Sequence, residues 1–105
     1  MSNSMNSENN HQQSILIVDD DLNVLEVLDA RLSSTGYHIF RCESGVEALQ
    51  ILKSNNIDLM ISDMKMPGMS GMELLEKSRQ IKPELPIIFL TAYGTIPDAV
   101  KAVKA

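Results

Sequence analysis

Apolar and polar positions in this chain repeat with two periods. Ile15-Leu-Ile-Val18 is a short continuous apolar run, as expected of a strand covered on both faces. After it Leu22, Leu25, Leu28 and Leu32 recur at steps of three, three and four, which is one face of a helix. Gly36, just past Ser33-Ser34-Thr35, is a natural C-terminal stop. Tyr37 to Cys42 alternates as a second strand. Ser44 caps a second helix, with Glu47 three residues on, and Val46, Leu49 and Leu52 give its buried face. Asn55-Asn56 breaks it, and a third strand runs from Ile57 to Ser62. Pro67-Gly68 marks a turn, and Ser70 with Glu73 opens a third helix. Met72, Leu74, Leu75 and Ser78 continue that helix to about Ile81, before Pro83. Ile87-Ile-Phe-Leu90 is a fourth strand, ending at Thr91. Thr95 caps a fourth helix, with Pro97 and Asp98 in its first turn and Ala99, Val100 and Val103 along it. Strands alternating with helices predict a parallel α/β sheet with right-handed crossovers.

Composition narrows the function classes. The chain has 105 residues, enough for one domain. Residues 1–13 are mostly Ser, Asn, Gln, Glu and Met, and read as a flexible tail; His11 within it has no partner at metal-ligand spacing. A net charge of −5 argues against direct nucleic-acid contact, which needs a basic footprint. The single cysteine, Cys42, cannot form an internal disulfide and is expected as a buried thiol. No apolar run reaches the roughly 20 residues of a membrane helix, and the N-terminus lacks a secretory pattern. A cytoplasmic setting without membrane contact is the expectation. Five of the seven methionines fall between Met60 and Met72. Clustered thioethers suit Cu(I), but methionine more often serves as adaptable apolar filler.

The polar residues gather at one edge of this frame. Asp19, Asp20 and Asp21 follow the first strand, Asp63 ends the third, and Thr91 ends the fourth. Ligands of open α/β sheets bind at the carboxyl ends of strands. A lone carboxylate there would equally be a solvated loop residue. If the first and third strands are neighbours, Asp19 or Asp20 lies beside Asp63. Packed carboxylates repel, and a pKa rises unless a cation intervenes. An oxygen-rich cluster suits a hard ion such as Mg²⁺. The alternative use of the triple aspartate is helix capping and dipole compensation, and one of the three, Asp21 by preference, does only that. A carboxylate beside Mg²⁺ can attack a phosphoryl group. There is no Walker loop, no Gly-rich dinucleotide fingerprint, and no Ser/His/Asp or Cys/His set; His38 sits mid-strand.

Ile15-Leu-Ile-Val-Asp-Asp-Asp21, Ser62-Asp-Met-Lys-Met-Pro-Gly-Met-Ser-Gly71 and Leu90-Thr-Ala-Tyr-Gly94 resemble the receiver (CheY-like) domain of two-component response regulators. The resemblance covers residues 14–105, and residues 91–100 are most similar to receivers of sigma-54-dependent (NtrC-like) transcriptional regulators. It implies a flavodoxin-like sheet with strand order 2-1-3-4-5. It implies Asp63 as phosphoacceptor and Asp19 and Asp20 as the acidic pair for Mg²⁺, with the backbone carbonyl of Lys65 as a further ligand. Thr91 would be the switch hydroxyl, Ala92 a small residue that leaves the phosphoryl approach open, and Lys65 and Tyr93 the positions that tune dephosphorylation. The implied donor is a sensor histidine kinase. The domain would then be a signalling switch with self-catalysed phosphotransfer and dephosphorylation, not a conventional enzyme, controlling transcription through an output domain absent here. The alternative is a receiver-like interaction module that is not phosphorylated.

The family's fifth strand and fifth helix are missing from this sequence, and with them a lysine and an aromatic switch residue. Lys101 and Lys104 belong to the solvated face of the fourth helix rather than replacing that lysine. The fourth strand becomes a sheet edge, a template for pairing with another chain. A marginal monomer is therefore expected, with homodimer or swapped-oligomer formation through that edge. The favoured explanation is a piece of a longer regulator.

Overall fold

The computed structural model describes residues 12–90. Its elements alternate: β1 (Ser14–Val18), α1 (Leu22–Ser34), β2 (His38–Cys42), α2 (Gly45–Ser54), β3 (Leu59–Asp63), α3 (Gly71–Ile81) and β4 (Ile87–Leu90). The four strands form one parallel sheet in the order β2-β1-β3-β4. That is the CheY-like arrangement as far as the described residues carry it. The fourth helix expected from Thr95, with Thr91, Ala92 and Tyr93, lies outside them.

The continuous apolar run of β1 follows from its central place. Leu16 and Val18 enter a core with Ala48 and Leu52 of α2, Leu74 of α3, Met60, Ile87 and Phe89. Ile15 and Ile17 point the other way, into a second core with Leu25 of α1 and Ile61. Period-two alternation thus serves two cores, one on each face of the sheet. Met64, Met66 and Met69 pack against the larger core, and Met60 is fully buried within it. The filler reading of the methionines holds for these four.

Helix ends are set by local chemistry. Asp21 caps α1 by accepting the Asn23 N–H at 2.9 Å. At its other end the Tyr37 N–H reaches the Leu32 carbonyl and the Gly36 N–H reaches that of Ser33, a Schellman closure. Gly36 has φ of 103°, the left-handed conformation this closure needs. Ser44 and Ser70 accept the N–H groups of Glu47 and Glu73. Glu47 returns a bond to the Glu43 N–H, one residue before the expected partner. Asn55 ends α2 and gives its side-chain N–H to the Ile51 carbonyl.

The structure corrects several sequence expectations. Val46 is 59% exposed, and the buried stripe of α2 is Gly45, Ala48 and Leu52. Leu22 and Met72, each in the first turn of its helix, are also exposed. β3 begins at Leu59, because Asp58 bonds the start of β1 with both its N–H and its carboxylate. His38 opens β2, exposed and with its ring tilted at 48° to that of Phe40, rather than lying mid-strand. The tail expected over residues 1–13 is anchored by its last two members: Gln12 donates to the Gly36 carbonyl, and the Gln13 carbonyl accepts from His38. Cys42 is buried as expected, and burial pushes its thiol up to about 11.

Two stability effects follow. The Ser78 hydroxyl in α3 is fully buried with no hydrogen-bond partner, and a buried unsatisfied group costs about 1–3 kcal/mol. Ser78→Ala is expected to raise unfolding free energy by roughly 1 kcal/mol in urea titration. Gly36→Ala is expected to lower it by about 1 kcal/mol, through its φ alone, since no atom lies within 4 Å of the added Cβ.

Candidate functional site

β1 and β3 are neighbours, with Val18 paired to Ser62. The next residue on each strand is an aspartate, so the register alone sets Asp19 beside Asp63. β2 lies on the far side of β1, so the chain direction across the sheet reverses between β1 and β3. Such a reversal opens a crevice at the carboxyl ends of the strands.

Asp19, Asp20 and Asp63 converge there. Each offers a carboxylate oxygen, and these oxygens lie within 4.8 Å of one another. Asp19 is 5% exposed, Asp63 half-buried and Asp20 exposed, so the cluster grades from core to solvent. Asp19 is held by its N–H to the Cys42 carbonyl and by the Asp21 N–H donated to its Oδ1. Asp21 itself turns away to cap α1. Asp63 accepts a long bond, 3.4 Å, from the Lys65 N–H. The exposed Lys65 side chain sits at the rim.

Burial is the main reason the Asp19 carboxyl is held above the usual carboxylate range. The Asp21 N–H pulls the other way, and the charges of Asp63, Asp20 and Asp21 add to the rise. Three close hard-oxygen donors, with no cationic side chain paired to them among the described residues, fit a divalent cation of the Mg²⁺ type. Asp19, Asp20 and Asp63 are the residues that would hold it.

Thus the structure brings together the three predicted carboxylates and places Lys65 beside them. Thr91, Ala92 and Tyr93 follow β4, whose last residue, Leu90, is paired with Asp63. Two residues of the site were not singled out from the sequence: Ser62, whose hydroxyl bonds the Asp63 carbonyl, and Gly71, whose N–H bonds the Met64 carbonyl. The strand-end position of Ser62 gave a hint of the first, whereas a close backbone approach at Gly71 has no signature in one sequence.

Residues 15–105 match the family model described as response regulator receiver domain. The chain belongs to the response regulator receiver family. The transcriptional regulatory protein GlrR of Escherichia coli (strain K12) is 47% identical over 88 residues, covering 84% of this chain and 20% of that protein. The DNA-binding transcriptional regulator NtrC of the same strain is 39% identical over 88 residues, covering 84% and 19%. The chain therefore spans about a fifth of the length of these curated relatives. Among solved structures, the response regulator protein TrrA from Thermotoga maritima in complex with Mg(2+)-BeF is similar, at 44% identity and a TM-score of 0.75, over 79% of this chain and 72% of that one. TrrA in complex with the histidine kinase ThkA gives 44% identity and a TM-score of 0.74, over 80% and 72%. This receiver is one of the two-component type, related to NtrC-like transcriptional regulators. No described helix is long and apolar enough to cross a membrane.

The raised Asp19 pKa carries a sign. A carboxyl raised on folding adds stability below its unfolded pKa, and that contribution is lost as pH rises through the folded value. Near neutral pH without divalent cation, Asp19→Asn is therefore expected to raise the thermal midpoint. The gain shrinks as pH falls toward the ordinary carboxylate range. Added Mg²⁺ is expected to raise the midpoint of the parent and not of the variant. Midpoints measured across pH, with and without Mg²⁺, check all three.

Proposed function

We propose that this receiver accepts a phosphoryl group on Asp63 from a phosphohistidine of a sensor histidine kinase, in an Mg²⁺-dependent reaction. Residues 14–105 would form the receiver unit, and the chain would serve as a signalling switch upstream of a transcriptional output. The observation that carries the reading is the convergence of Asp19, Asp20 and Asp63 within 4.8 Å at the reversal of the sheet. Its support from relatives is that TrrA is described in complex with Mg(2+)-BeF and with the histidine kinase ThkA.

In this mechanism an Asp63 carboxylate oxygen attacks phosphorus. The new O–P bond forms as the P–N bond to the donor imidazole breaks, and that nitrogen keeps the electron pair. Asp19, Asp20 and Asp63 would hold Mg²⁺, which would supply neutralisation of the phosphoryl oxygens. Asp19, buried and bonded through its own N–H and through that of Asp21, is the rigid member of the cluster. Asp20 is the exposed member of the cluster. The carbonyl of Lys65 is assigned to the cation, and the Lys65 and Tyr93 side chains to the rate of water attack on the acyl phosphate. Thr91 is assigned the hydroxyl that follows the phosphoryl group, with Ala92 leaving its approach free. Uptake on Asp63 then shifts a two-state equilibrium of the domain.

Incubation with acetyl phosphate and Mg²⁺, read by intact mass, is expected to add one phosphoryl group to the parent chain. Asp63→Asn abolishes it, and chelation of Mg²⁺ does the same. Thr91→Ala keeps incorporation while weakening the conformational response. A folded parent chain that takes up no phosphoryl group would instead favour an interaction module working without phosphotransfer.

A further inference from the structure

Gly71 opens α3 with a φ that any L-residue can adopt, so conformational freedom does not explain a glycine there. Space does. A Cβ at this position would lie 2.7 Å from the Asp63 carbonyl oxygen, 2.8 Å from the Met64 Cα and 3.0 Å from the Met64 carbonyl oxygen. All three are backbone atoms, with no side chain to rotate away. The absent Cβ lets the first turn of α3 press directly on the peptide that follows Asp63.

The two neighbouring glycines of this region differ. At Gly45 the crowding atom nearest an added Cβ is the Met69 Sδ at 2.7 Å, near the end of a flexible side chain that can give. At Gly68 the φ of 80° demands glycine, but no atom lies within 4 Å of a Cβ. Only at Gly71 is the neighbour the backbone of the site itself.

The peptide groups on either side of Met64 are tied at four points. The fully buried Ser62 hydroxyl donates to the Asp63 carbonyl at 2.9 Å. The Met64 N–H donates to the Leu90 carbonyl at 3.1 Å, and the Met64 carbonyl accepts the Gly71 N–H at 2.8 Å. The Lys65 N–H reaches the Asp63 carboxylate. We propose that Ser62, through its bond to the Asp63 carbonyl, and Gly71, through its close approach to that carbonyl and its N–H bond to the Met64 carbonyl, are positioning residues that clamp the two peptides after Asp63 and so aim the Asp63 carboxylate and the Lys65 carbonyl. The inference rests on the phosphoacceptor reading of Asp63. A misplacement of about 1 Å at such a site can cost roughly a hundredfold in rate.

The test uses the full chain with Gly71→Ala and Ser62→Ala, and Gly36→Ala as a destabilised control remote from the loop. Four quantities are read: urea stability, Mg²⁺ affinity by calorimetry, phosphoryl uptake from acetyl phosphate, and amide hydrogen exchange at Met64 and Lys65. Gly71→Ala and Ser62→Ala are expected to slow uptake by about tenfold or more, to weaken Mg²⁺ binding, and to speed exchange at both amides. Gly36→Ala is expected to lose stability while keeping uptake and Mg²⁺ affinity within about twofold of the parent. Parent-like exchange at Met64 and Lys65 in folded Gly71→Ala overturns the inference. So does an equal loss of uptake in Gly36→Ala, which would reduce the effect to general destabilisation. If Gly71→Ala does not fold, Ser62→Ala adds no atoms and decides by the same readings. A folded parent that takes up no phosphoryl group overturns the phosphoacceptor reading instead, and the amide exchange still decides whether the clamp exists.

Discussion

Parallel pairing of β1 with β3 is the constraint on which the rest depends. It puts Val18 opposite Ser62, and the next residue on each strand is an aspartate. Carboxylates that would separate in solution are thereby held within 4.8 Å at the sheet edge. Apolar burial on both faces of β1 holds that register: a one-residue slip would exchange Leu16 and Val18 with Ile15 and Ile17 between two cores of different shape. The fold can therefore carry an acidic crevice whose repulsion a divalent cation relieves.

Around this crevice each short segment has one task. Asp21 closes α1 and leaves Asp19 and Asp20 free for the cluster. The β3–α3 loop is fastened to the larger core by Met64, Met66 and Met69, whose adaptable side chains fill irregular space beneath it. Its first peptide groups are tied to β4 and to α3 by backbone bonds. The geometry of Asp63 is thus inherited from backbone contacts with β4 and α3, which place it more firmly than its own half-exposed side chain could.

The alternation of β and α runs, the caps at Ser44 and Ser70, the stop at Gly36 and the strand-end placement of Asp19, Asp20 and Asp63 were all legible in the sequence. Each depends on the chemistry of a few consecutive residues: an apolar run, a side-chain oxygen before a helix, a glycine after one. Helix faces were less legible. Val46 and Leu22 fit an apolar stripe by spacing, yet stand in solvent because where a helix meets its sheet depends on packing angle, not on period. Ser78 looks like an ordinary member of a helical stripe by spacing, and only the fold shows its hydroxyl buried without a hydrogen-bond partner.

The order of strands was decided in three dimensions, because local pattern says that a strand exists and not which strand it joins. The approach of Asp19 and Asp20 to Asp63 follows from that order, whereas the cap made by Asp21 is local and is expected from the sequence. The clamp on Asp63 is the clearest case. Ser62 and Gly71 are nine residues apart in the chain, and their bonds to the consecutive Asp63 and Met64 carbonyls exist only once α3 packs against the loop after β3. The sequence by itself determined the elements and the chemistry each one carries. The tertiary structure alone decided the distances between them, because those arise from burial and pairing of segments far apart in the chain.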